Sequence, residues 1–131
     1  MRTGNFTVEC PCPEPFRKFH AHNIETDILY SSPALQELNE KVDIIWVAHL
    51  LHQWAWEGQV IGAKSLAALS RLGATVAGYQ VGAEVAAYLA PTELMKSECF
   101  GHNQASFARM WDQVGEDTQL KWHTSSVQEI E

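Results

Sequence analysis

Residues 42–47, Val-Asp-Ile-Ile-Trp-Val, run from Ile44 to Val47 through β-branched and aromatic side chains without polar alternation. The run then breaks into His49, His52, Trp54, Trp56 and Glu57. A continuous apolar run of this kind reads as a strand buried on both faces, the pattern of a parallel sheet covered by helices. In open α/β sheets ligands sit outside the carboxyl ends of the strands, so the groups that follow the run mark an expected site.

The rest of the chain supplies the partners such a strand needs. Ile24, Thr26 and Ile28 alternate with Glu25 and Asp27, which predicts a strand over residues 24–30. Ser32 and Pro33 open a short helix as N-cap and first helical residue. A helix is expected over 57–70, with Val60, Ala63, Ala67 and Ser70 on one stripe, and a strand over 74–82. Residues 83–89 read as helix-prone, and Asn103 caps a helix that carries Phe107, Met110, Trp111 and Val114 and is ended by Gly115. Leu120 opens a last strand toward Val127. The alternation predicts an α/β fold with mostly parallel pairing.

At 131 residues the chain has the size of one domain, expected over 19–131 behind an irregular arm, 1–18, in which Cys10-Pro11-Cys12-Pro13-Glu14-Pro15 excludes helix. A net charge of −7 argues against nucleic acid or anionic membrane as partner, because both need a cationic footprint. The N-terminus lacks the apolar segment of a signal peptide, and Arg71, Gln80 and Glu84 interrupt the apolar zone 66–90. Three cysteines suit a reducing compartment, so a soluble, cytoplasmic protein is expected. Cys10 with Cys12, and His20 with His22, lack the spacing and additional ligands of a metal centre, and none is expected.

Several ordered motifs resemble the second half of fungal class I S-adenosylmethionine-dependent methyltransferases of secondary metabolism. They read Thr26-Asp27, Ser32-Pro33-Ala34-Leu35, Val42-Asp43-Ile44-Ile45-Trp46, His52-Gln53-Trp54-Ala55-Trp56-Glu57-Gly58-Gln59, Gly78-Tyr79-Gln80-Val81-Gly82, Phe100-Gly101-His102 and Ser106-Phe107…Met110-Trp111…Val114-Gly115-Glu116. The resemblance implies a truncated Rossmann-like sheet, mostly parallel, with helices on both faces. The family's glycine-rich turn and the acidic residue that hold the cofactor have no counterpart here, and only Asp27 matches a position near the adenine. No bound cofactor is therefore expected, and S-adenosylmethionine enters only if a partner supplies the missing half.

The resemblance also leaves the edge of the 44–47 strand open, so either the 24–30 strand moves across to cover it or two copies associate, and a homodimer or higher assembly through that edge is expected. On the acceptor side it implies His52 and His102 as catalytic groups with Glu57 in support. His49, Trp54, Trp56, Tyr79 and Gln80 are then the residues expected to line a natural-product substrate. The leading expectation is a cofactor-independent isomerisation or cyclisation, possible with a shaped pocket and one or two acid–base groups. The alternatives are a methyltransferase completed by a partner chain and a non-catalytic pseudoenzyme module.

Overall fold

The computed structural model describes residues 5–6, 24–93 and 97–129. Its elements are β1 (Asn5–Phe6), β2 (Thr26–Asp27), α1 (Pro33–Gln36), β3 (Val42–Ala48), a 3-10 turn (Leu51–Gln53), α2 (Trp56–Leu69), β4 (Ser70–Tyr79), β5 (Ala87–Leu89), β6 (Cys99–Gly101) and α3 (Gln104–Thr118). Cys10, Cys12, His20 and His22 lie outside the described residues.

β3 and β4 are parallel neighbours joined by α2, a single βαβ unit of a partial Rossmann-like fold. Ile44 to Ala48 lie opposite Thr75 to Tyr79 in register. Gly78 makes that approach possible, since a Cβ there would sit 1.6 Å from the Val47 carbonyl oxygen. α2 buries Gln59, Val60, Ala63, Leu66 and Ala67 along one side, and α3 answers with Met110, Trp111 and Val114. Val47, Leu50, Leu51 and Trp54 complete the core. Lys64 Nζ and Asp117 Oδ2, 2.8 Å apart, bridge the two helices at the surface.

Helix starts follow their sequence signals. The Ser32 hydroxyl accepts the Leu35 N–H at 3.3 Å with Pro33 at the first position. Asn103 and Ser106 form a reciprocal capping box at the start of α3.

Several expectations are corrected. The run 44–47 is buried on one face only: Val47 is 9% exposed, whereas Ile44 and Trp46 are 74% and 61% exposed. α2 and α3 pack under one side of the sheet, and among the described residues nothing covers the other. The β3–β4 sheet is parallel, and β1–β2 and β5–β6 form antiparallel ladders separate from it. The strand expected over 24–30 is two residues long, because the Asp27 carboxylate accepts the Leu29 N–H at 3.0 Å and Tyr30 N–H closes a turn on the Asp27 carbonyl. It pairs with Asn5–Phe6 and leaves the outer edge of β3 unpaired among the described residues.

The helix expected over 83–89 is instead the strand β5, in which Ala87, Tyr88 and Leu89 pair with Gly101, Phe100 and Cys99. Alanine is the best helix former, but intrinsic propensity is a weak preference that pairing with a neighbouring strand overrides. Gly115 does not end α3, which runs to Thr118 and stops at Gln119 in the left-handed conformation, φ 59°. Glycine serves packing there, since a Cβ would lie 2.4 Å from the Leu120 carbonyl oxygen as the chain folds back. The segment expected as a last strand, 120–127, forms no ladder.

Gly78→Ala forces a methyl group into the Val47 carbonyl and separates the two central strands. A loss of at least about 2 kcal/mol is expected in urea unfolding followed by tryptophan fluorescence.

Candidate functional site

β3 ends where His49 adopts the left-handed conformation, φ 53°, and turns the chain off the sheet. Its N–H still reaches the Tyr79 carbonyl at 2.9 Å, so the exits of β3 and β4 stay tied together. The turn brings four aromatic rings into one row on the open face: Trp46 with Tyr79 at 6.1 Å, Tyr79 with His49 at 4.6 Å, and His49 with His52 at 5.4 Å, all edge-to-face. His49, His52 and Tyr79 were each expected at the site, and the fold places them together. Trp46 joins them only because its side of the sheet is uncovered.

His52 Nδ1 accepts the Val81 N–H at 3.0 Å. A ring nitrogen that accepts cannot carry the proton, so the neutral imidazole is protonated on Nε2 and presents an N–H outward. Burial lowers the His52 pKa, and the positive charge His49 can carry lowers it further. The shift is downward and neither of its causes is Glu57. Glu57 lies exposed in the first turn of α2, where a carboxylate suits the helix N-terminus.

His102 occupies a different setting. It is 4% exposed, and its ring is clamped at both nitrogens: Nε2 to Gln59 Oε1 at 3.0 Å and Nδ1 to the Ser106 hydroxyl at 2.8 Å. The Gln59 amide nitrogen donates to the Trp54 carbonyl at 3.0 Å and the Phe100 carbonyl at 2.9 Å, which leaves its oxygen to accept from His102 Nε2–H. Nδ1 then accepts from Ser106. Burial holds the His102 pKa down to about 4, with the nearby Arg109 charge a further cause. Both nitrogens are thus engaged within the protein, and the ring acts as a structural post between α2 and α3.

The remaining expected residues divide between core and rim. Trp54 is core, 7% exposed, with its side chain lying along Gly58 and Gly62, where added Cβ atoms would come within 2.8 and 2.9 Å of it. Trp56 is half-buried, donates to Gln113 Oε1 at 2.9 Å and stacks edge-on to Phe100 at 5.2 Å. Gln80 follows the end of β4 and faces a groove along that strand. Gln59 and Ser106, which organise His102, were not expected at the site. The available signal was a glutamine on the inward stripe of an apolar helix, which a buried polar partner explains.

S-adenosylmethionine, the cofactor that the resemblance implies, needs a glycine-rich turn that opens a helix. Among the described residues no such turn opens a helix, because Gly58 and Gly62 lie within α2 and Gly115 within α3, and the Asp27 carboxylate is engaged by the Leu29 N–H. Among the described residues no helix is long and apolar enough to cross a membrane.

No family model matches the sequence, and no solved structure matches it. The chain is 29% identical over 103 residues to the O-methyltransferase phiE of a fungal species (strain ATCC 74256), which covers 77% of this chain and 34% of that protein. It thus spans about a third of the length of this curated relative. A match over 77% of the chain necessarily includes the β3–α2–β4 unit, and the relationship is methyltransferase-like.

Two measurements test the His102 post. Gln59→Leu strands the imidazole N–H and two carbonyls, and a destabilisation of about 3 kcal/mol or more is expected in urea unfolding. Because the folded-state pKa of His102 lies below its unfolded value, its contribution is complete above about pH 6.5 and is lost as pH falls toward about 4. The urea midpoint should decline across that window, and the His102 imidazole resonance should titrate only near its lower end.

Proposed function

We propose that this protein is a methyltransferase-like enzyme of natural-product metabolism. In this reading it binds a flat small molecule over the Trp46–Tyr79–His49–His52 row and catalyses a cofactor-independent isomerisation or cyclisation. The observation that carries the proposal is the state of His52. A neutral imidazole with Nδ1 held by Val81 offers its Nε2–H as a fixed donor to a substrate carbonyl oxygen. Donation there stabilises negative charge that develops on the oxygen during a tautomeric or pericyclic step. Tyr79 and Trp46 supply apolar surface, and His49 is the neighbouring group available for proton transfer.

A second reading is methyl transfer to an acceptor hydroxyl, with another polypeptide supplying the cofactor half. It draws on the similarity to an O-methyltransferase of which this chain spans only a third. It would require His52 to give up the Val81 N–H before acting as a base through Nδ1. In either reading a second copy completes the sheet at the unpaired edge of β3, where Ile44 and Trp46 leave an apolar surface. Light scattering on a size-exclusion column should then give a dimer mass at micromolar concentration, and a monomer would remove that part of the proposal.

His52→Ala is expected to lower turnover of the pathway intermediate by about 10²-fold or more, the range for a positioned acid–base group. Tyr79→Phe keeps the ring and should leave most of the activity. Full turnover by His52→Ala would refute the assignment. Calorimetric titration with S-adenosylhomocysteine separates the readings: no heat is expected from the isolated protein, and saturable binding would favour methyl transfer.

A further inference from the structure

A groove of about 640 Å³ runs along β4, with residues 75–80 on one wall and residues 122–128 on the other. α3 contributes Phe107 and Trp111 to its lining. Among the described residues no aspartate, glutamate, lysine or arginine lines it, and its only ionisable ring nitrogens are those of His102 and His123. Gln80 and Trp122 both line this groove, and their donors, Gln80 Nε2 and Trp122 Nε1, are closed off from solvent with no partner among the described residues. Indole and carboxamide nitrogens only donate, so both require an acceptor. The Trp111 and Trp122 rings lie 4.9 Å apart at 51°, which gives the groove an aromatic side.

We infer that this groove is a binding site for an uncharged, flat aromatic molecule that carries carbonyl or ether oxygens. A charged ligand would lose its hydration to a lining that offers no carboxylate, ammonium or guanidinium among the described residues, whereas a neutral one meets no such cost. Ligand oxygens supply what Gln80 and Trp122 lack, after a small rotation of each side chain toward the cavity. An aromatic body packs against the tryptophan pair and Phe107. The volume lies within the range of about 300–1,000 Å³ typical of small-molecule sites. The inference does not depend on the catalytic reading of His52, because Gln80, Phe107, Trp111 and Trp122, on which it rests, take no part in the His52 row.

Flavone, with one carbonyl and one ring oxygen, is a suitable probe of the intact protein by calorimetry and by quenching of tryptophan fluorescence. Flavan, which lacks the carbonyl and, with its saturated C2–C3 bond, the flatness of flavone, and a flavone carboxylate serve as comparisons. Micromolar binding of flavone is expected, with flavan at least about threefold weaker through loss of the carbonyl acceptor and of flatness, and the carboxylate weaker than flavone. Gln80→Leu and Trp122→Phe should each weaken flavone by a similar factor with an unchanged circular dichroism spectrum. Equal affinity for flavone and flavan overturns the inference. So does an absence of binding by both below millimolar concentration, or preferential binding of an uncharged extended peptide, which would make the groove a strand-pairing edge.

Discussion

The buried Gln59 side chain is the junction on which the rest of this structure depends. Three hydrogen bonds leave one carboxamide, joining α2 to the Trp54 carbonyl before it, to the Phe100 carbonyl of β6 and to the His102 ring beside α3. Segments up to 43 residues apart in the chain are fixed by one side chain that is 0% exposed. An apolar residue of the same size would fill the space and leave those groups unpaired in a medium with no water to replace the bonds. The same junction sets the His102 tautomer and, through Ser106, the first turn of α3.

Much of this architecture is legible in the residue pattern. Helices α2 and α3 and strands β3 and β4 announce themselves through local signals: an apolar stripe, a cap, a β-branched run. The grouping of His49, His52 and Tyr79 is legible for the same reason, since each stands at the exit of one of two adjacent parallel strands. What is not legible depends on non-local facts. Ile44 and Trp46 look as buried as Val47 in the sequence, because a strand does not report which of its faces a helix covers. Ala83 to Leu89 looks helical until β6 offers it hydrogen bonds. Gly115 looks like a helix end, although its absent side chain makes room for Leu120. His102 looks as reactive as His52. The difference lies in partners far away in sequence, with Gln59 at one nitrogen and Ser106 at the other.

The two histidines show how one residue type is assigned opposite work by its surroundings. Both are held neutral by burial. His102 spends both nitrogens inside the protein, whereas His52 spends one on the Val81 backbone and keeps the other for the open side of the sheet. The region similar to an O-methyltransferase therefore contains one histidine that supports the frame and one that faces outward.

The indole of Trp54, laid against Gly58 and Gly62, acts as a shim. Because neither glycine has a side chain, the indole lies directly against α2 immediately after the 3-10 turn that carries His52. A larger residue at either glycine would push the indole, and with it the turn, away from the helix, so the placement of the imidazole answers to two absent side chains on α2.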